Sequence, residues 1–152
     1  MAIFRFKLSV LHRLKTQLED QAKHRFGKAV AILNAELKKL NAINAAIESA
    51  LEDIRTVSVK RFTAGKIREF NYYIAAMKQK AREQKKAVDA AAQNVNRARE
   101  ALILAARQRE MYDKLREKAY ARYVSEEKRL ENRGVDELVS YRSSLRGQTS
   151  GK

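Results

Sequence analysis

IREFNYYIAAMKQKAREQKKAVDAAAQNVNRAREALILAARQREMYDKLREKAYARYVSEEKRL, residues 67–130, carries the reading of the fold. Stepping alternately by three and four from Ile67 visits Phe70, Ile74, Met77, Ala81, Gln84, Val88, Ala91, Val95 and so on to Tyr123, Glu126 and Leu130. Fifteen of these nineteen positions are apolar, and the register never slips. A hydrophobic repeat of about 3.5 residues sustained over this length marks a coiled-coil seam. From Ala91 onward every second seam position is Ala, Ala, Ala, Tyr, Ala, and such small residues let a partner helix approach closely.

The N-terminal half supplies that partner. Leu33, Leu37, Leu40, Asn44, Ile47, Leu51 and Ile54 follow the same steps. Upstream, Leu11, Leu14, Leu18, Ala22 and Phe26 continue the stripe with three successive steps of four, a local stutter. Asn44 in the stripe reads either as a buried polar residue that fixes register or as a residue near enough to the turn to reach water. Between the halves, Thr56–Val59 gather weak helix formers, Thr63 is a capping residue and Gly65 is permissive. The expected fold is therefore all-α: one long antiparallel two-helix coiled coil, a helical hairpin spanning residues 1–141. Helix 1 covers about 4–56, the turn about 57–64 and helix 2 about 65–141, with Gly134 a fraying point and 142–152 a disordered tail. Each arm would be about 80 Å long, with Leu11 facing the neighbourhood of Tyr112.

Composition agrees. The chain of 152 residues has no Pro, Trp or Cys and five Gly, and is dominated by strong helix formers. Charged residues make up 34%, with a formal net charge of +15, which draws such a chain toward acidic partners. The start of the chain, interrupted by Arg5, Lys7, His12 and Arg13, lacks the apolar run of a signal peptide, and ALILAA at 101–106 is far too short to span a bilayer.

A two-helix hairpin offers no concave, partly dry interior for catalysis. His12 and His24 stand twelve residues apart with neither Cys nor an HExxH pattern, so no metal site is expected. Gly27-Lys28 and Gly65-Lys66 lack the upstream glycine of a phosphate loop, positions 22 and 60 being Ala and Lys. Glu19-Asp20 and Glu126-Glu127 read as solvated helix faces. The expectation is a protein without catalytic residues or cofactors.

KIREFNYYIAAMKQK, residues 66–80, holds Phe70, Tyr72 and Tyr73, with Phe62 just upstream. Phe70, Ile74 and Met77 lie on the seam, Tyr73 flanks it, and Tyr72 faces away from the partner helix. Exposed tyrosines beside Ile and Met at the closed end of a thin hairpin form either a tolerated surface or a docking patch.

FRFKLSVLHRLKTQLEDQA at the N-terminus, IREFNYYIAAMKQK in the centre and KLREKAYARYVSEEKRLENRGVDELVSYR near the end resemble, in order and spacing, the flagellar FliJ family over roughly residues 3–141. Gly134 departs from the pattern, which has helix-forming polar residues there. The resemblance implies a fold like the central-stalk coiled coil of rotary ATPases. It also implies a soluble, cytoplasmic component of the bacterial flagellar type III protein export apparatus, serving flagellum assembly and motility and peripheral at the inner membrane. The partners implied are the hexameric export ATPase and its regulator, the membrane export-gate protein and export chaperones. By the same resemblance, Phe70, Tyr73, Ile74 and Met77 would contact the export gate. Phe4, Arg5, Phe6 and Lys7, with Lys114, Arg116, Lys118 and Arg122 of helix 2, would contact the ATPase.

A second reading of the charge is a basic hairpin that binds nucleic acid. No motif of known docking geometry supports it, and the aromatics cluster instead of interleaving with the basic runs. For a membrane-surface protein the apolar residues are committed to the seam, which leaves no insertion face.

Overall fold

The computed structural model describes residues 3–57 and 63–149. Two helices, α1 (Ser9–Val57) and α2 (Ala64–Thr149), pack against each other as a helical hairpin, and there is no strand among the described residues. The centre of the expected turn, with Phe62, lies outside them. Thr63 immediately precedes α2, and its carbonyl accepts from the amides of Lys66 (3.1 Å) and Ile67 (3.4 Å), as an N-cap residue's does.

The chain divides into two compact units. The first runs from Leu18 to Ala105. Within it, Phe26 lies beneath the guanidinium of Arg99 and Glu36 meets Gln84, so the two helices run antiparallel. Its deepest side chains are small or medium: Ala22, Ala50, Ile74, Ala91 and Val95. None is fully enclosed, because two helices alone cannot surround a side chain.

In α2 the less exposed positions are those of the expected repeat, from Phe70 through Met77, Gln84, Ala91 and Ala98 to Ala105. In α1 the register differs from expectation. The covered positions are Glu19, Ala22, Phe26, Ala29, Leu33, Glu36, Leu40, Ile43, Ile47, Ala50 and Ile54, an unbroken alternation of three and four with no stutter. Leu18, Leu37 and Leu51 are exposed flanks, and Asn44 is exposed. The two possible alternations share Leu33, Leu40, Ile47 and Ile54. Between them the structure selects the one that places alanines at the line of closest approach, with leucines lapping its edge.

Two polar groups therefore occupy the stripe unforeseen. Glu19, expected on a solvated face, is buried and pairs with Lys23 (3.4 Å) one turn on. Gln84 Nε2 donates to the Glu36 backbone carbonyl (2.9 Å) and to its carboxylate. Lys39 also donates to that carboxylate (3.2 Å). These bonds, the one from Gln84 foremost, hold the Glu36 carboxyl below its usual range. Glu19 and this layer, not Asn44, are the polar insertions in the seam of this unit.

The second unit comprises the residues up to Gln17 and those from Ala106 onward. His12 Nε2 lies 2.5 Å from Asp113 Oδ1 and Lys15 donates to Gln108 (3.2 Å), one residue along from the expected pairing of Leu11 with the Tyr112 neighbourhood. Helix 1 starts later than expected, at Ser9, and residues 3–6 are not helical. Beyond Glu127 every described residue of α2 is exposed, yet the helix passes Gly134 without a positive φ and continues to Thr149. The tail expected at 142–152 is thus helical through its first eight residues. Arg142, Leu145 and Arg146 favour helix, and Ser143 and Ser144 satisfy their hydroxyls on the carbonyls of Ser140 and Tyr141.

Candidate docking surfaces

The N-terminal segment is placed by its alternation. Phe-Arg-Phe-Lys at 4–7 has the period of an extended chain, so Phe4 and Phe6 share one side and Arg5 and Lys7 the other. Phe4 and Phe6 are half-buried and both cations are exposed. The Phe4 ring meets Tyr120 edge-on at 5.2 Å and Tyr123 at 5.5 Å, and Phe6 meets the His12 ring at 6.4 Å. An aromatic contact of this kind contributes about 1 kcal/mol beyond its buried area.

The expected ATPase-contact residues distribute over two grooves that flank this segment. On the side facing His12, a groove is lined by Phe4–Lys7, Ser9, Arg13, Thr16 and Arg116. On the opposite side, Lys7 and Leu8 face Leu115, Ala119 and Arg122 across a second groove. Lys114 and Lys118 line neither and are exposed on α2. Arg13, on the groove facing His12, went unassigned in the sequence. Only the position of α1's seam shows that it sits beside the groove, and the leucine stripe put that seam in the wrong place. Arg5, Lys7, Arg13 and Arg116 form no ion pair among the described residues. Asp113 and Glu117 line a neighbouring groove with Phe4 and Arg116, and Asp113 is engaged by His12 and Arg109.

That engagement makes the unit pH-sensitive. The hydrogen bond from His12 lowers the Asp113 pKa, the Arg109 charge adds to the effect, and desolvation opposes it. A folded pKa below the unfolded one gives stability that is present above the unfolded value and lost as pH falls through the folded one. Asp113 is 37% exposed, so the contribution is under about 1 kcal/mol. Asp113→Asn is expected to lower stability by that small amount at neutral pH and to make the loss between pH 6 and about pH 3 smaller than in the parent, the remainder coming from groups such as Glu36. Urea titrations at both pH values measure this. Identical pH dependence in the two chains would show that the pair is inert.

The aromatic segment lies in the other unit. Ile74 is 8% exposed and belongs to the seam, Phe70 and Met77 are half-buried, Tyr73 is 47% exposed and Tyr72 77%. What a partner could touch without opening the helices is Tyr72 and Tyr73. Sequence reading placed Tyr72 outward but left it out of the contact set, because family matching favoured the seam positions.

No helix among the described residues is long and apolar enough to cross a membrane, and no acidic or histidine cluster there could hold a metal ion. Compared with known families, residues 4–148 match that of the flagellar FliJ protein. Among solved structures, the chain resembles a YscO homologue, CT670 from Chlamydia trachomatis. The TM-score is 0.65 at 20% identity, over 96% of this chain and 99% of that one, which is a likeness of fold. Comparison with curated proteins gives no match.

Proposed function

We propose, from the premise that the chain belongs to the FliJ family of flagellar proteins, that it is an interaction component of the bacterial type III export apparatus. In this reading it couples the export ATPase to the membrane export gate and escorts export chaperones. The family is one of structural and escort proteins, so the work assigned to the chain is binding and not catalysis.

The observation that carries the reading is the open-end groove facing His12. Arg5, Lys7, Arg13 and Arg116 surround Phe4 and Phe6 and form no ion pair among the described residues. Unpaired cations around an apolar floor favour a partner surface of opposite sign, and they speed its capture more than they strengthen it. We assign this groove to the ATPase. The gate contact is assigned to the aromatic segment, with Tyr73 and its neighbour Tyr72 as the accessible rings, Phe70 and Met77 at their margin and Ile74 bracing them from below.

Two double variants test the division of labour. Arg5→Glu with Arg116→Glu should weaken binding to the purified export ATPase at least about tenfold and leave the gate protein's cytoplasmic portion bound as before. Tyr72→Ala with Tyr73→Ala should do the reverse. Both pairs are exposed, so helix content should not change. If each variant binds both partners like the parent, the assignment is wrong. Selective nucleic-acid binding at physiological salt, abolished by the Arg pair, would favour the alternative reading instead.

A further inference from the structure

The leucines that sequence periodicity assigned to the seam, but which lie at its edge, are only partly covered by the hairpin. In the unit holding the open end, the seam of α1 runs through His12 and Lys15, which turns Leu11 and Leu14 to one side of the helix pair. Helical spacing turns Met111 and Leu115 of α2 to the same side. The Lys15–Gln108 bond marks that side, and Lys7, Leu8, Leu115 and Arg122 share its groove. The exposures are 42% for Leu11, 45% for Leu14, 54% for Met111 and 39% for Leu115.

The charge around these four side chains is predominantly positive, with Glu126 closing the far end of the shared groove one turn from Arg122. Toward solvent the same side carries Lys7 on the N-terminal segment and Arg107, Lys118 and Arg122 on α2. The carboxylates of this stretch of α2, Glu110, Asp113 and Glu117, project to the other side, where Asp113 meets His12. No described carboxylate of residues 7–17 or 107–122 faces the leucine side.

The geometry points to a docking trough for a third helix: an acidic amphipathic helix of a protein partner. Its apolar stripe would lie between α1 and α2, and its glutamates and aspartates would face the flanking cations. Two antiparallel helices with leucine and methionine along both lips form a groove of the shape that ridges of a third helix fill. A bilayer fits less well, since the floor of the trough is polar at Gln108 and Lys15. This surface lies across the N-terminal segment from the groove assigned to the ATPase, so it adds a docking surface that the reading above leaves unassigned.

The test uses a synthetic helix of about twenty residues with leucines at helical a and d spacing and glutamates elsewhere. A scramble of identical composition and anionic vesicles of phosphatidylglycerol are the comparators. At physiological salt the amphipathic peptide should bind at least about tenfold more tightly than the scramble. It should slow amide exchange in residues 9–17 and 107–118. Met111→Gln with Leu115→Gln, both exposed, should reduce that binding about tenfold with helix content and ATPase binding unchanged. Equal affinity for peptide and scramble would reduce the trough to generic charge and overturn the proposal. So would binding insensitive to the double variant, no binding of the peptide, or a variant-sensitive association with vesicles alone. ATPase binding intact in a chain that ignores the peptide would sink this inference and leave the open-end assignment standing. The opposite result would do the converse.

Discussion

Ala91→Asp should unfold the hairpin, whereas Ala90→Asp, one residue away, should scarcely be felt. Ala91 is 5% exposed at a point where α1 and α2 pass closely, and Ala90 is exposed. A carboxylate at 91 would be larger than the space left by a methyl group and would be held away from water. The side chains one turn away on its own helix are Ala87, Val88, Asn94 and Val95, so none offers a cation. Breaking the seam in this way costs about 3–5 kcal/mol, comparable to the whole stability of a small domain. At 90 the same carboxylate stands in water one turn from Lys86, and the change amounts to about 0.5 kcal/mol of helix propensity. Circular dichroism in urea separates the two. Equal losses at both positions would show that the stripe through Ala91 is not where the helices meet.

The second large effect is local. Phe4→Ala removes the ring that joins the N-terminal segment to Tyr120 and Tyr123. A half-buried phenylalanine lost from such a cluster weakens it by about 2 kcal/mol, a factor of about thirty in the closed-to-open ratio of residues 3–8. The change belongs to amide exchange and protease sensitivity of that segment, since the contacts removed hold one short stretch of chain and not the seam. Arg5→Ala, on the outward side of the same stretch, should leave exchange as it was. Protection unchanged in the Phe4 variant would mean that the aromatic contact does not hold the segment.

How much of this was legible differs between the helices. For α2 the apolar repeat identified the line of contact from Phe70 to Ala105, where small and β-branched residues keep one consistent register, whereas Ile67, Arg116, Glu126 and Leu130 of the same repeat are exposed. For α1 it did not. Leu11, Leu14, Leu18, Leu37 and Leu51 outweigh His12, Lys15, Glu19, Glu36 and Ala50 on any hydropathy count, yet the latter group faces the partner. In a two-helix seam the width of the residue matters as much as its polarity. Alanine allows approach, histidine and lysine reach across to Asp113 and Gln108, and leucine is displaced to the shoulder. That displacement removed the premise that every apolar residue was already committed, and with it the argument that the hairpin had no apolar outer face. The extended segment at 4–7 was visible as alternation, but a helical period had already been extended over it.

The Glu36–Gln84 layer has a mechanical consequence. Sliding α2 along α1 by one heptad would bring Gln84 opposite Ala29 or Ile43, break both of its bonds and press a bare amide against hydrocarbon. A shift of two heptads would set it against Ala22 or Ala50 with the same loss, so this layer behaves as a detent. Within this unit, a load that pulls the two helices past each other is resisted there first.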